Sequence, residues 1–250
     1  MGHNEKQVEG QLMFDFCLDK RNYVCQANSL VGGKQALKLN SAKIIRSAIM
    51  QIVRDDVELK PYIITIPEIA ELLNISASNI YRDINSITDD IMNNPVFIKR
   101  VSGKNVSWVK IPWCSRCEYN SDIGLMIKLN EELKPFLINL QGNYTQYALE
   151  SILTMKSVYS VRIFELLQSK IMTKLLPKEG VFIDISLEEL KAACDCDSDA
   201  YNKFANFKMR VLEVAKKDIN GKTNYVMDYE YIKKNRKVVA IRFFLNMNYH

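Results

Sequence analysis

At 250 residues the chain can form one large domain or two of ordinary size, and either buries a core. Apolar residues make up 48% and charged residues 25%, with 34 Lys/Arg against 29 Asp/Glu, the balance of a mildly basic globular protein. No apolar run approaches the ~20 residues that cross a bilayer. The N-terminus has no basic flank ahead of an apolar core, so the cytoplasm is the expected compartment.

Residues 1–21 form an N-terminal tail, a candidate for disorder. A strand is expected at Tyr23–Ala27, then a helix from Leu39 to Val53 with apolar residues at 42, 45, 49, 52 and 53. Tyr62–Ile66 alternates as a short strand. Pro67 suits the first turn of a helix, Asn74 can close it, and Ser76 can cap the next, from Ala77 to about Met92. Ala70, Asn74 and Ile80 then have helix-turn-helix spacing. Val96–Arg100, a turn at Ser102–Asn105 and Val106–Ile111 follow as a hairpin, where a wing belongs.

The second half repeats this order. Helices are expected at Tyr144–Ile152 and Val158–Met172, then a strand at Val181–Ile185. Ser186 and Glu189 have the spacing of a capping box. An Asp- and Ser-rich turn at Cys194–Asp199 precedes a basic helix from Tyr201 to Asn220, stopped by Asn220-Gly221. Tyr225–Lys233 and Val238–Leu245 form the second hairpin. The join is expected near Pro135–Gly142. The fold class is thus α+β and helix-rich, with two tandem winged-helix domains of related fold, at 22–138 and 139–250.

Charge concentrates at the end of the chain. Tyr201–His250 holds eleven Lys/Arg against four acids, a balance of +7 that exceeds the +5 of the whole chain. A basic helix followed by a Lys233–Lys237 tip is the layout of a winged helix on a phosphate backbone, although a charge run alone also suits a solvated face. At 100° per residue, Phe204, Phe207, Val211, Val214, Ala215 and Ile219 share a core side. Lys203, Asn206, Arg210, Glu213 and Lys217 share the other, where an Asn can read adenine and an Arg guanine. Lys208 falls among the apolar positions and suits the core rim or DNA equally.

Several chemistries are excluded. The two histidines, His3 and His250, stand at the extreme termini, which removes His-based nucleophile pairs and His metal sites. Gly32-Gly33-Lys34 lacks the upstream Gly and the Ser/Thr of a phosphate loop. No carboxylate cluster has the spacing of a metal nuclease. Cys114-x-x-Cys117 and Cys194-x-Cys196 could hold zinc, but lie far apart in sequence without a nearby His, and reduced thiols are the better reading. No catalytic residue, cofactor or metal is expected.

YVCQANSL near 23–30, LQGNYTQYALESILTMKSVYSVRIFELLQ at 140–168 and the stretch from YNKFANFKMRVLEVAKKDIN to AIRFFL at 201–245 resemble the plasmid replication initiators of iteron-containing, theta-replicating plasmids. The resemblance implies binding to double-stranded DNA: origin repeats (iterons) as monomers and an inverted repeat at the protein's own promoter as dimers. It also implies melting of adjacent AT-rich DNA and recruitment of host helicase and initiator proteins. Dimerisation would belong to the first domain and the main groove reading to the second, with no membrane partner. Carried over by position, the DNA contacts on the basic helix are Lys203, Asn206 and Arg210; the wheel adds Lys217 and the basic wing tip adds Arg236 and Lys237 as candidates. Arg162 is a candidate phosphate contact or a structural ion pair. In the first domain the candidates are Ser78, Asn79 and Arg82 on the helix after Ser76, and Lys104 in the hairpin turn. The rival reading is a winged-helix transcriptional regulator without an initiator role.

Overall fold

The computed structural model describes residues 5–8, 11–14, 23–171 and 180–247. Both histidines, Cys17 and the expected helix end at Met172 lie outside the described residues. Within the expected tail, β1 (Glu5–Val8) and β2 (Gln11–Phe14) pair antiparallel.

β3 (Tyr23–Ala27) leads into a one-turn helix, α1 (Asn28–Val31), and then α2 (Leu39–Met50). α2 is buried on nearly every side, Arg46 and Ser47 included, so it forms the centre of the first half. It ends before the expected Val53, which is solvent-exposed. After β4 (Pro61–Ile64) comes α3 (Ile66–Leu73), opened by a capping box in which Thr65 and Glu68 satisfy each other's backbone N–H groups. Asn74 closes it in the left-handed conformation, φ 52°. α4 (Ala77–Asn93) completes the helix-turn-helix, and β5 (Val96–Ser102) pairs with β6 (Asn105–Ile111) as the expected hairpin.

A further hairpin, not anticipated, follows: β7 (Cys114–Asn120) and β8 (Gly124–Leu129). β8 also pairs with β4, giving the order β4-β8-β7. Gly124 permits this approach. Its φ is 126°, and a Cβ there would lie 2.3 Å from the Ile64 carbonyl oxygen.

A short helix, α5 (Lys134–Leu137), crosses to the stretch expected to be helical at 144–152. The first five of those residues are instead a strand, β9 (Tyr144–Ala148), antiparallel to β3 from Tyr23↔Ala148 to Ala27↔Tyr144. Thr145 and Tyr147 point inward, and the period of two wins because β3 supplies a ladder. The chain beyond the expected join at 138/139 therefore returns to the first half. Only α6 (Glu150–Leu153) remains of that expected helix.

α7 (Val158–Ile171) runs between the halves. β10 (Val181–Ser186), α8 (Leu187–Ala193), a long interrupted helix at 204–222, β11 (Tyr225–Lys234) and β12 (Lys237–Met247) form the second helix-turn-helix and hairpin, with sheet order β10-β12-β11. Ser186 caps α8 by accepting from the Glu189 N–H at 3.0 Å. The basic helix runs through Gly221 rather than stopping there. The Asn220 side chain instead bonds both backbone groups of Met227, fixing the helix to β11.

The halves share one apolar core, and a buried ionic cluster sits within it. The Glu165 carboxylate of α7 accepts from Arg46 (3.0 Å), Arg162 (2.6 Å), Tyr147 (2.5 Å) and Gln26 (2.9 Å). Burial alone would raise its pKa, but Arg46 and Arg162 outweigh that and hold it at about 2. Removing one member of such a cluster leaves buried charge uncompensated, which is its main energetic consequence. Among the described residues no helix is long and apolar enough to cross a membrane, and no three His, Cys, Asp or Glu side chains are grouped to hold a metal ion.

Candidate nucleic-acid interface

The second-half helix begins as α9 (Phe204–Phe207), passes through a π-helical segment at Lys208–Leu212 and continues as α10 (Glu213–Lys222). A π turn holds an extra residue, so the faces of an ideal wheel slip as the helix crosses it. Val211 and Leu212 are both fully buried, Val211 within the core side of the wheel and Leu212 at its edge, beside Ile219. Phe207, Ala215 and Ile219 are buried as expected, whereas Phe204 and Val214 are half-buried at the edge. Asp218 also turns inward and accepts from the Lys156 N–H at 2.9 Å.

The opposite face survives this slip. Lys203, Arg210 and Lys217 are solvent-exposed and form no ion pair among the described residues. Asn206 is half-buried, and its amide donates to the Ala200 carbonyl at 2.8 Å, so it shapes the entry to the helix. Lys208 is a rim residue. Its ammonium lies 5.9 Å from the Tyr231 ring and 3.9 Å from Glu213. Lys216, on the flank, is occupied by Asp228 at 2.7 Å.

The wing tip continues the cationic surface. Asn235 and Arg236 both have positive φ, 50° and 68°, the backbone of a two-residue type I′ hairpin turn. That turn places Lys233, Lys234, Arg236 and Lys237 in solvent, again without ion pairs among the described residues. Arg242, further down β12, is instead committed to Asp184 by two hydrogen bonds of 2.8 and 2.9 Å.

Arg162 does not face a phosphate. It is 1% exposed and donates to Glu165, to the Ala193 carbonyl (3.1 Å) and to the Val31 and Gly33 carbonyls (2.5 and 2.9 Å). These contacts make it the structural alternative, tying α7 to the loop after α1 and to the end of α8.

The first half presents its candidates differently. Arg82 is exposed, but its guanidinium is held by the neighbouring Asp83 at 2.8 and 3.3 Å. Asn79 is half-buried, and the side chain of Ser78 lies outside the described residues. Lys104 is exposed in the β5–β6 turn, beside Gly103 at φ 60°. The same hairpin carries an aromatic face that residue types alone did not single out. Trp108 is 62% exposed, lies 5.6 Å from Phe97 and is approached by Lys110 at 5.8 Å.

Comparison with known proteins agrees with this arrangement. Residues 23–168 match the family model described as initiator replication protein, WH1, and residues 186–245 match initiator Rep protein, WH2. A replication initiation protein of Escherichia coli is 28% identical over 160 residues, covering 64% of this chain and 48% of that protein. The chain therefore spans about half the length of this relative. The crystal structure of the Pi initiator protein in complex with iteron DNA superimposes with a TM-score of 0.72 at 20% identity, covering 91% of this chain and 98% of the other. Matched through both winged-helix domains, the chain belongs to the family of replication initiator (Rep) proteins.

Proposed function

We propose that this protein initiates plasmid replication by binding origin iterons sequence-specifically, with no catalysis of its own. The observation that carries the reading is the cationic surface of Lys203, Arg210, Lys217 and the Lys233–Lys237 wing tip, without ion pairs among the described residues and built on a helix-turn-helix and its wing. Cations at such a surface release counterions condensed on phosphates, and an exposed Arg on the helix can bridge guanine O6 and N7. The Pi protein, of the same fold, is seen on iteron DNA. Unstacking costs a few kcal/mol per base step, so origin opening needs several bound copies. Recruitment of host helicase follows on the opened strands, and a dimer binding an inverted repeat at its own promoter represses it.

The labour divides between the halves. Residues 139–250 carry the main reading, and residues 22–138 carry dimerisation and auxiliary contacts through Ser78, Asn79, Arg82 and Lys104. The solvent-exposed Trp108 face of the first hairpin supports a protein partner there, a second copy of this chain included. Selection of bound duplexes from a random library, followed by footprinting of the DNA flanking the gene, tests the reading. Tandem copies of one repeat beside an AT-rich tract are expected. A single operator without repeats would favour a transcriptional regulator, and indiscriminate binding would overturn sequence-specific recognition.

A further inference from the structure

The turn that leads into the DNA-facing helix is acidic. Asp195, Asp197 and Asp199 follow one another between α8 and the helix at 204–222, where unneutralised carboxylates would oppose a polyanion. The partner of the first two comes from the first half of the chain. The Lys34 ammonium lies 2.8 Å from the Asp195 carboxylate and 2.7 Å from that of Asp197.

Lys34 is itself held firmly. Its backbone N–H and C=O both bond to Phe97 of β5 at 2.9 Å. The carbonyl of Gly33, the residue before it, accepts from Arg162, whose Nε donates to Ala193 at the end of α8. Backbone bonds therefore place Lys34 from the first half, while Arg162 fixes the main chain entering the acidic turn. Hydrogen bonds from Lys34 to Asp195 and Asp197 raise the pKa of its ammonium, so it stays charged. This position is part of the Gly32-Gly33-Lys34 sequence that fails as a phosphate loop.

We propose that Lys34 is a positioning residue for DNA binding: it holds and neutralises the Asp195–Asp197 turn, so that the first half sets the charge beside the second half's DNA-facing helix. The inference rests on the DNA-binding role proposed above. It also separates two effects that a fold contact would merge. A partly exposed ion pair contributes little to stability, whereas two uncovered carboxylates beside a phosphate backbone act directly on affinity.

The test uses the full chain and a duplex of one repeat recovered by library selection, against a scrambled duplex. Lys34→Ala should lower affinity for both duplexes about three- to tenfold, most strongly at low salt, with an unchanged melting temperature. Lys34→Arg should keep wild-type affinity. Adding Asp195→Asn and Asp197→Asn to Lys34→Ala should restore binding to within about twofold, because the neutral turn needs no counter-charge. Wild-type affinity in Lys34→Ala, or a loss that the neutral turn does not rescue, overturns the proposal. Wild-type protein that prefers no selected duplex overturns the DNA-binding reading itself, a separate failure.

Discussion

The two winged-helix halves share a plan and differ in where their free cations cluster. In the second, Lys203, Arg210, Lys217 and the wing-tip cations stand in solvent without carboxylate partners among the described residues. In the first, Arg82 is closed on Asp83, Arg46 is sealed in the core, and the hairpin adds an exposed Trp108 to its lysines. Formal charge alone conceals this. From Gln141 onward there are seventeen Lys/Arg against thirteen acids, and up to Leu140 seventeen against sixteen. Pairing leaves this difference as it stands, since both halves hold some cations on carboxylates, Arg82 and Arg116 in the first and Lys216 and Arg242 in the second. What distinguishes the second is that its free cations gather on one helix face and one wing tip. The scaffold is common to both halves, and the clustering of free cations is what favours the second for the proposed DNA binding.

The comparison breaks first where the halves are joined. Glu165→Ala leaves Arg46 and Arg162 buried without their carboxylate, and should cost on the order of 3–5 kcal/mol, measured by urea unfolding. Glu165→Gln, which keeps an acceptor, should cost less. The pH dependence has a definite sign. The folded carboxyl is held at about 2 against an ordinary 4.5, so its contribution is complete above 4.5 and is lost as pH falls toward 2. Thermal melts of wild type should fall through that window, and those of Glu165→Gln should fall less. An equally stable Glu165→Ala protein would show that the cluster does not join the halves.

This cluster also marks where sequence reading stopped. The helix-turn-helix pairs, the Asn74 closure, the Ser186 cap and both wings were legible, because each rests on local rules acting within a few residues. β9 was not. Five residues, YTQYA, satisfy either period, and the ladder that decides between them lies on β3, more than a hundred residues away. The β7–β8 hairpin was missed for a similar reason: it is stabilised by β4 and allowed by Gly124 against Ile64. The exposed face of the helix at 204–222 was legible on an ideal wheel, but the π turn at Lys208–Leu212 was not, because nothing in its composition announces it. Arg162 resolved toward the ion pair because its partners, Glu165 and three backbone carbonyls, come from distant elements as well as its own helix.

The reading face provides the next largest effects. Arg210→Ala should lower affinity for the repeat by about 1–3 kcal/mol and relax preference at one base position, as read by titration with single-base variants. Lys217→Ala, about two helical turns further along, should weaken all duplexes alike and reduce the salt slope by about one. Unchanged discrimination in Arg210→Ala would remove it from the groove. At the wing tip, long flexible cations suit charge better than base pattern. Arg236→Ala with Lys237→Ala should therefore cost repeat and random DNA about equally. A loss confined to the repeat would move the tip from phosphate clamp to groove reader.

The smallest effect is the sharpest check on the contrast between halves. Arg82 is exposed on α4, as Arg210 is on the helix at 204–222, yet Asp83 already holds its guanidinium in two hydrogen bonds. Arg82→Ala should then leave affinity for the repeat within about twofold of wild type, since a neutralised pair displaces few counterions. Asp83→Asn releases the guanidinium and should strengthen binding to random and repeat DNA alike by a similar small factor, more at low salt. Both changes are exposed, so unfolding midpoints should hardly move. If Arg82→Ala instead weakened the repeat as much as Arg210→Ala does, the ion pair would have to open on DNA. The first helix-turn-helix would then read bases, as proposed for the second.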